Sequence, residues 1–113
     1  MSHHDDRVFV AHMRDACAKI ARLCDGFDQV KFEADDRTPD AVIRQLEILG
    51  EAAGRVSEPS RQANRAVPWR TLRDLRNVLI HGYDTVALDR VWEIAVKDVP
   101  SLLLSLEDML RSL

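Results

Sequence analysis

Aromatic residues are scarce in this chain, at 5% of 113 positions, and glycine and proline number only four each. So few turn formers cannot supply the many tight connections of an all-β domain. The apolar share is nevertheless 46%, and Ala, Val, Leu and Ile carry most of it, which suits helix-on-helix packing. No apolar run approaches the roughly 20 residues that a membrane-spanning helix requires. The polar, acidic N-terminus does not read as a secretory signal, so a cytoplasmic location and no membrane partner are expected. Cysteine is almost missing too. Cys17 and Cys24, placed on one helix, would stand about 10 Å apart along its axis. That is too far for a disulfide, so both read as reduced core thiols. His3, His4 and His12 have no cysteine or carboxylate spaced to complete a metal site, and no carboxylate cluster for two-metal nuclease chemistry is evident. No metal and no cofactor are expected. Charge of one sign is also lacking: the net is −3, so nothing global attracts nucleic acid.

What is present is periodic. The length fits one domain spanning residues 1–113, with residues 1–4 expected to be disordered. Asp5 or Asp6 can cap a first helix whose apolar stripe is Phe9, Met13, Ala16, Cys17, Ile20 and Cys24. Gly26 ends it. Residues 27–37 form a connection with a short helical turn, its aromatics covering the end of the core. Thr38-Pro39 reads as an N-cap and first-turn proline. Val42, Leu46, Leu49, Ala53 and Val56 make the next stripe, widened by Ile43 and Ile48, so this helix is central. Gly50 and Gly54 form a low ridge that a neighbouring helix could approach. Glu47 and Glu51 are surface carboxylates, or one of them pairs with an arginine further on. Residues 57–67 read as a loop. Pro68 opens a third helix running to about His81. A last helix begins near Leu88 with the stripe Leu88, Val91, Trp92, Ala95 and Val99. Pro100 must kink or break it, and Leu103, Leu106, Leu110 and Leu113 continue the apolar side. The pattern describes an all-α, up-and-down four-helix bundle with short extra helical turns.

The third helix carries the chemistry. Arg61, Arg65, Arg70, Arg73 and Arg76 form a basic stretch interrupted only by Asp74. At about 100° per residue its core side centres on Leu75, flanked by Leu72, Val78 and Leu79, while Arg70, Arg73, Asn77 and Ile80 lie opposite. Arg76 and His81 fall on the two shoulders, about 140° apart. They converge on one target only if the arginine reaches across or the last turn unwinds, which Gly82 permits. Ile80 and Trp69 sit off the core side, and an isoleucine between polar groups suggests a partner surface. From this we expect a homodimer in which the helix meets its twin and two copies of the polar set share one groove. Tyr83 follows just beyond the helix end.

An arginine presents a permanently charged fork of donors to phosphate oxygens, and a histidine gives or takes a proton near neutral pH. The pair meets the needs of metal-free RNA cleavage. A base takes the 2′-hydroxyl proton, the freed oxygen attacks phosphorus, an acid protonates the leaving 5′-oxygen, and a fixed cation stabilises the phosphorane. Spacing alone leaves a second account open: a surface arginine, and a terminal histidine favoured by the helix dipole.

The runs Asp40–Ala53, Val67-Pro-Trp-Arg70, Leu75-Arg-Asn-Val-Leu-Ile-His-Gly-Tyr83 and Val91-Trp-Glu-Ile94 resemble the HepT toxins of the HEPN ribonuclease superfamily. The resemblance extends from about Asp5 to Leu113. It implies a HEPN-like helical homodimer with metal-independent endoribonuclease activity on mRNA or tRNA, acting as the toxin of a type VII toxin–antitoxin pair. It assigns the catalytic pair to Arg76 and His81 and a supporting role to Asn77. Arg70 and Arg73 are RNA-binding candidates. It also implies a partner, an MntA-like nucleotidyltransferase antitoxin that transfers AMP from its own ATP to Tyr83 and so silences the toxin. Two positions depart from relatives: Asp74 stands where glycine is common, and Ala87 replaces a usual aspartate, a lost cap of roughly 1 kcal/mol. A rival reading is a non-catalytic helical partner or acceptor of the nucleotidyltransferase.

Overall fold

The computed structural model describes the backbone of residues 3–81 and 87–113, and the side chains of residues 5–75 and 87–113. Every element among the described residues is helical: α1 (His3–Cys24), α2 (Gln29–Ala34), α3 (Thr38–Arg55), α4 (Glu58–Ala63), α5 (Trp69–His81), α6 (Leu88–Glu93) and α7 (Val99–Ser112), with a π-helical turn over Ile94–Asp98 joining the last two. The long helices α1, α3, α5 and α7 form the bundle expected from the periodicity. α1 packs against both α3 and α7, and α3 packs against α5. The chain ends show the directions. Arg7 at the start of α1 donates to the Leu110 and Leu113 carbonyls at the end of α7, at 2.9 and 3.0 Å. Asp6 accepts from Ser57, just past the end of α3. Both neighbours of α1 are therefore antiparallel to it.

One shared core fills the space between the helices. Met13, Cys17 and Ile20 of α1 meet Leu46, Leu49 and Ala53 of α3, Leu72 of α5 and Leu106 and Met109 of α7, all buried. Val10 occupies the position that the periodicity gave to Phe9. Phe9 is half-buried, and the Arg55 guanidinium stands 6.0 Å from its ring centroid. Phe32 on α2 closes one end, tilted at 46° against Trp92 with ring centroids 5.1 Å apart. Phe27 also packs against the core, while Val30 stays 78% exposed, so the aromatics of this segment and not its valine cover the core. Cys17 and Cys24 are buried free thiols. Burial pushes the Cys17 thiol up to about 12.

Several helix boundaries differ from expectation, each for a local reason. Helical backbone already begins at His3, so Asp5 and Asp6 lie in the first turn of α1 and do not precede it. The Thr38 amide is capped by Asp35, whose carboxylate accepts from Thr38 N at 2.7 Å and Arg37 N at 3.1 Å; Thr38 itself is already helical. Those bonds hold the Asp35 carboxyl below its ordinary value. Gly26 adopts φ 81°, the left-handed turn that ends α1 and that glycine enters without a Cβ clash. Gly50 is buried as expected, but Gly54 is exposed, and a Cβ added there would meet nothing within 4 Å. Glu47 and Glu51 pair with Arg44 and Arg55 of their own helix, at 3.6 and 3.4 Å, and among the described residues neither pairs with the basic stretch.

The expected break at Pro100 takes the form of a widening. Proline has no N–H for the Val96 carbonyl and its ring crowds that oxygen. The helix accommodates this with the π turn immediately before α7, in which Pro100 is a first-turn residue. The buried line of α7 then runs through Leu102, Leu106, Met109 and Leu110, with Leu103 at its edge. α6 begins after Ala87 with no side-chain cap.

Candidate nucleic-acid interface

The segment 57–67, expected to be a loop, contains the helix α4. Ser57 stands at its N-cap position and Pro59 in its first turn, an arrangement that favours helix initiation. A helix of six residues is marginal alone, and α4 is tied down from three directions. Asp6, only 2% exposed, accepts from Ser57 N at 2.9 Å, from Ser57 Oγ at 2.6 Å and from Ser60 Oγ. Asn64 Nδ2 donates to the Ser60 carbonyl at 2.9 Å. Trp69 Nε1 donates to the Asn64 carbonyl at 3.0 Å. Burial by itself raises the Asp6 carboxyl, but the bonds from Ser57 and Ser60 outweigh it, and the net shift is downward.

Trp69 is expected off the core side of its helix. It is half-buried against the core, at the elbow between α4 and α5, because its indole N–H finds the Asn64 carbonyl there.

This elbow opens a groove of about 580 Å³ lined by Arg61, Arg65, Trp69, Arg70 and Arg73, with Glu58, Gln62 and Asp74 completing its walls. Arg70 and Arg73 are exposed, as the angular reading of the helix requires. Asp74 lines both this groove and a second, mostly apolar cavity that includes Leu49, Leu72, Leu75 and Leu102. It does place a carboxylate beside the basic face. Arg61 and Arg65 were legible as charge but not as part of a site, since their position depends on α4.

The helical backbone of α5 continues unbroken to His81, so the last turn does not unwind ahead of the histidine. Arg76, Asn77 and His81 thus belong to the same helix as Arg70 and Arg73. Their side chains, with those of Val78, Leu79 and Ile80, lie outside the described residues. Tyr83 lies outside the described residues altogether, as do Gly82 and the segment to Val86. Among the described residues no group of three or more His, Cys, Asp or Glu could hold a metal ion, and no helix is long and apolar enough to cross a membrane.

Comparison with known proteins follows the same lines. Residues 13–109 match the family model described as Ribonuclease HepT-like. The chain is 31% identical over 102 residues to "Putative RNase MJ1380" of Methanocaldococcus jannaschii, covering 90% of this chain and 94% of that protein. It is 29% identical over 105 residues to "Putative RNase TTE0752" of Caldanaerobacter subterraneus subsp. tengcongensis, covering 93% and 94%. With "Probable ribonuclease HepT" of Thermococcus cleftensis it shares 38% over 71 residues, covering 63% and 64%. No solved structure matches significantly.

Proposed function

Because this chain belongs to the HepT-like ribonuclease family, we propose that it is an endoribonuclease toxin that cuts RNA without a metal ion. The observation that supports this reading is the continuity of α5. One helix begins with exposed arginines in a basic groove and carries Arg76, Asn77 and His81 on its last turns.

In this reading Arg76 binds the scissile phosphate and stabilises the charge that builds on it. His81 moves the proton: as base it frees the 2′-oxygen to attack phosphorus, and as acid it protonates the departing 5′-oxygen. One imidazole cannot hold both protonation states at once, so two copies of α5 in a homodimer supply the pair. Asn77 orients His81 or the phosphate. A nucleotidyltransferase antitoxin transfers AMP from ATP to the Tyr83 hydroxyl oxygen, releasing pyrophosphate, two residues from His81 in sequence, and the added phosphate repels RNA from the site.

The test is His81→Ala. Growth arrest and RNA cleavage are lost, typically by about 10²-fold or more, with the helical spectrum unchanged, and cleavage by the unaltered protein persists in EDTA. Full cleavage by the variant overturns the proposal. If the unaltered protein does not cut RNA at all yet accepts AMP on Tyr83, the chain is an acceptor for the transferase and not a nuclease.

A further inference from the structure

Arginines on the rest of this protein's surface are largely occupied. Arg14, Arg44, Arg55, Arg90 and Arg111 each hold a carboxylate within four residues of themselves. The four that line the α4–α5 groove hold none among the described residues, although Glu58 and Asp74 line the same groove. Four positive charges against two negative ones leave an excess of unneutralised cation in a chain whose net charge is −3. Trp69 lines the same groove. Its N–H is already spent on the Asn64 carbonyl, so the indole is locked in place as part of the groove lining. The α4 wall is equally fixed, through Ser57 and Ser60 to the buried Asp6. The frame of the groove is therefore held in place, its indole included, and the arginine side chains mounted on it supply the charge.

From this arrangement we infer that the α4–α5 groove is a binding track for single-stranded RNA, with Arg61, Arg65, Arg70 and Arg73 on the phosphates and Trp69 stacked against a base. The inference rests on the ribonuclease reading and adds a substrate class to it. An indole flanked by cations suits strands whose bases are unstacked and free to turn outward. Duplex RNA buries those faces and offers mainly sugar and phosphate. The track also has a direction. Arg70 and His81 are eleven residues apart on one helix, roughly 16 Å along its axis. RNA held in the groove therefore reaches the motif after a few nucleotides of unpaired strand.

The experiment measures binding of the full chain, carrying His81→Ala so that the probe survives. The probe is a fluorescein-labelled unstructured RNA, alone or annealed to its complement, titrated across a salt series. The single strand binds more tightly than the duplex. Adding Arg61→Gln and Arg65→Gln weakens single-strand binding about tenfold at 0.1 M salt and flattens the slope of log K against log salt by about 1.4. With Trp92→Phe leaving Trp69 as the only indole, the single strand quenches tryptophan emission. Unchanged affinity and slope in the arginine double variant, or a preference for duplex, overturns the inference and leaves the groove for another occupant such as an acidic protein. The two readings fail separately. If the wild-type chain cuts RNA but the double variant binds it undiminished, only the track is wrong. If the groove binds RNA but the wild-type chain cuts none, only the nuclease reading is wrong.

Discussion

Asp6 and Ser60 stand 54 positions apart in sequence and share a hydrogen bond in a buried pocket. That contact, with the two from Ser57, joins the start of α1 to α4 and sets one wall of the arginine groove.

Replacing Asp6 by asparagine keeps the size but not the acceptor set. One of its three donors then faces an amide N–H₂ in a site closed to water. The expected cost is about 1–3 kcal/mol, read from urea denaturation at neutral pH, with faster amide exchange in α4.

The same residue ties stability to pH. Its carboxyl is held below the ordinary 3.8 in the fold, so between the two values the unfolded chain binds the extra proton. Its contribution is complete above the ordinary carboxylate range and is lost as pH falls through the lowered folded value. Acid denaturation of Asp6→Asn lacks that component, so the gap between wild type and variant narrows below about pH 4. A gap that stays constant down to pH 2 contradicts the assignment.

Gly54 is an unforced weakness. It is exposed near the end of α3, with nothing within 4 Å of an added Cβ and no positive φ. Gly54→Ala stabilises the protein by about 0.5–1 kcal/mol, seen as a higher melting temperature with unchanged RNA cleavage.

Cys17 is fully buried and its thiol is raised to about 12, so almost none of it is thiolate at pH 8. Burial also raises Cys24. Ellman's reagent leaves both thiols unmodified in the native protein and modifies two per chain in guanidinium. Rapid native labelling of Cys17 is the contrary result.

Much of the architecture was readable because the cause lay within a few residues. The stripes of α1 and α3 repeat every three to four positions, and burial follows them at Met13, Cys17, Ile20, Leu46 and Leu49. Gly26 marks its turn through its own missing Cβ. Periodicity is a blunter guide at the edges of a stripe, where Val10 is buried and Phe9 only half so, because a broad face admits either. Thr38-Pro39 carries the local signal for a helix start, yet the cap is Asp35, whose carboxylate outside the helix reaches two amides.

Local pattern was enough to establish an all-helical chain, its four long helices and the one helix that carries the arginines with Arg76 and His81. Helix propensity and apolar spacing act over a single turn, so those features needed no partner. The groove is another matter. α4 is too short to persist alone, and it exists where it does because Asp6 holds one end and Trp69 the other. Bonds between residues far apart along the chain have no signature in any short window, so only the packed bundle could bring Arg61 and Arg65 to face Arg70 and Arg73.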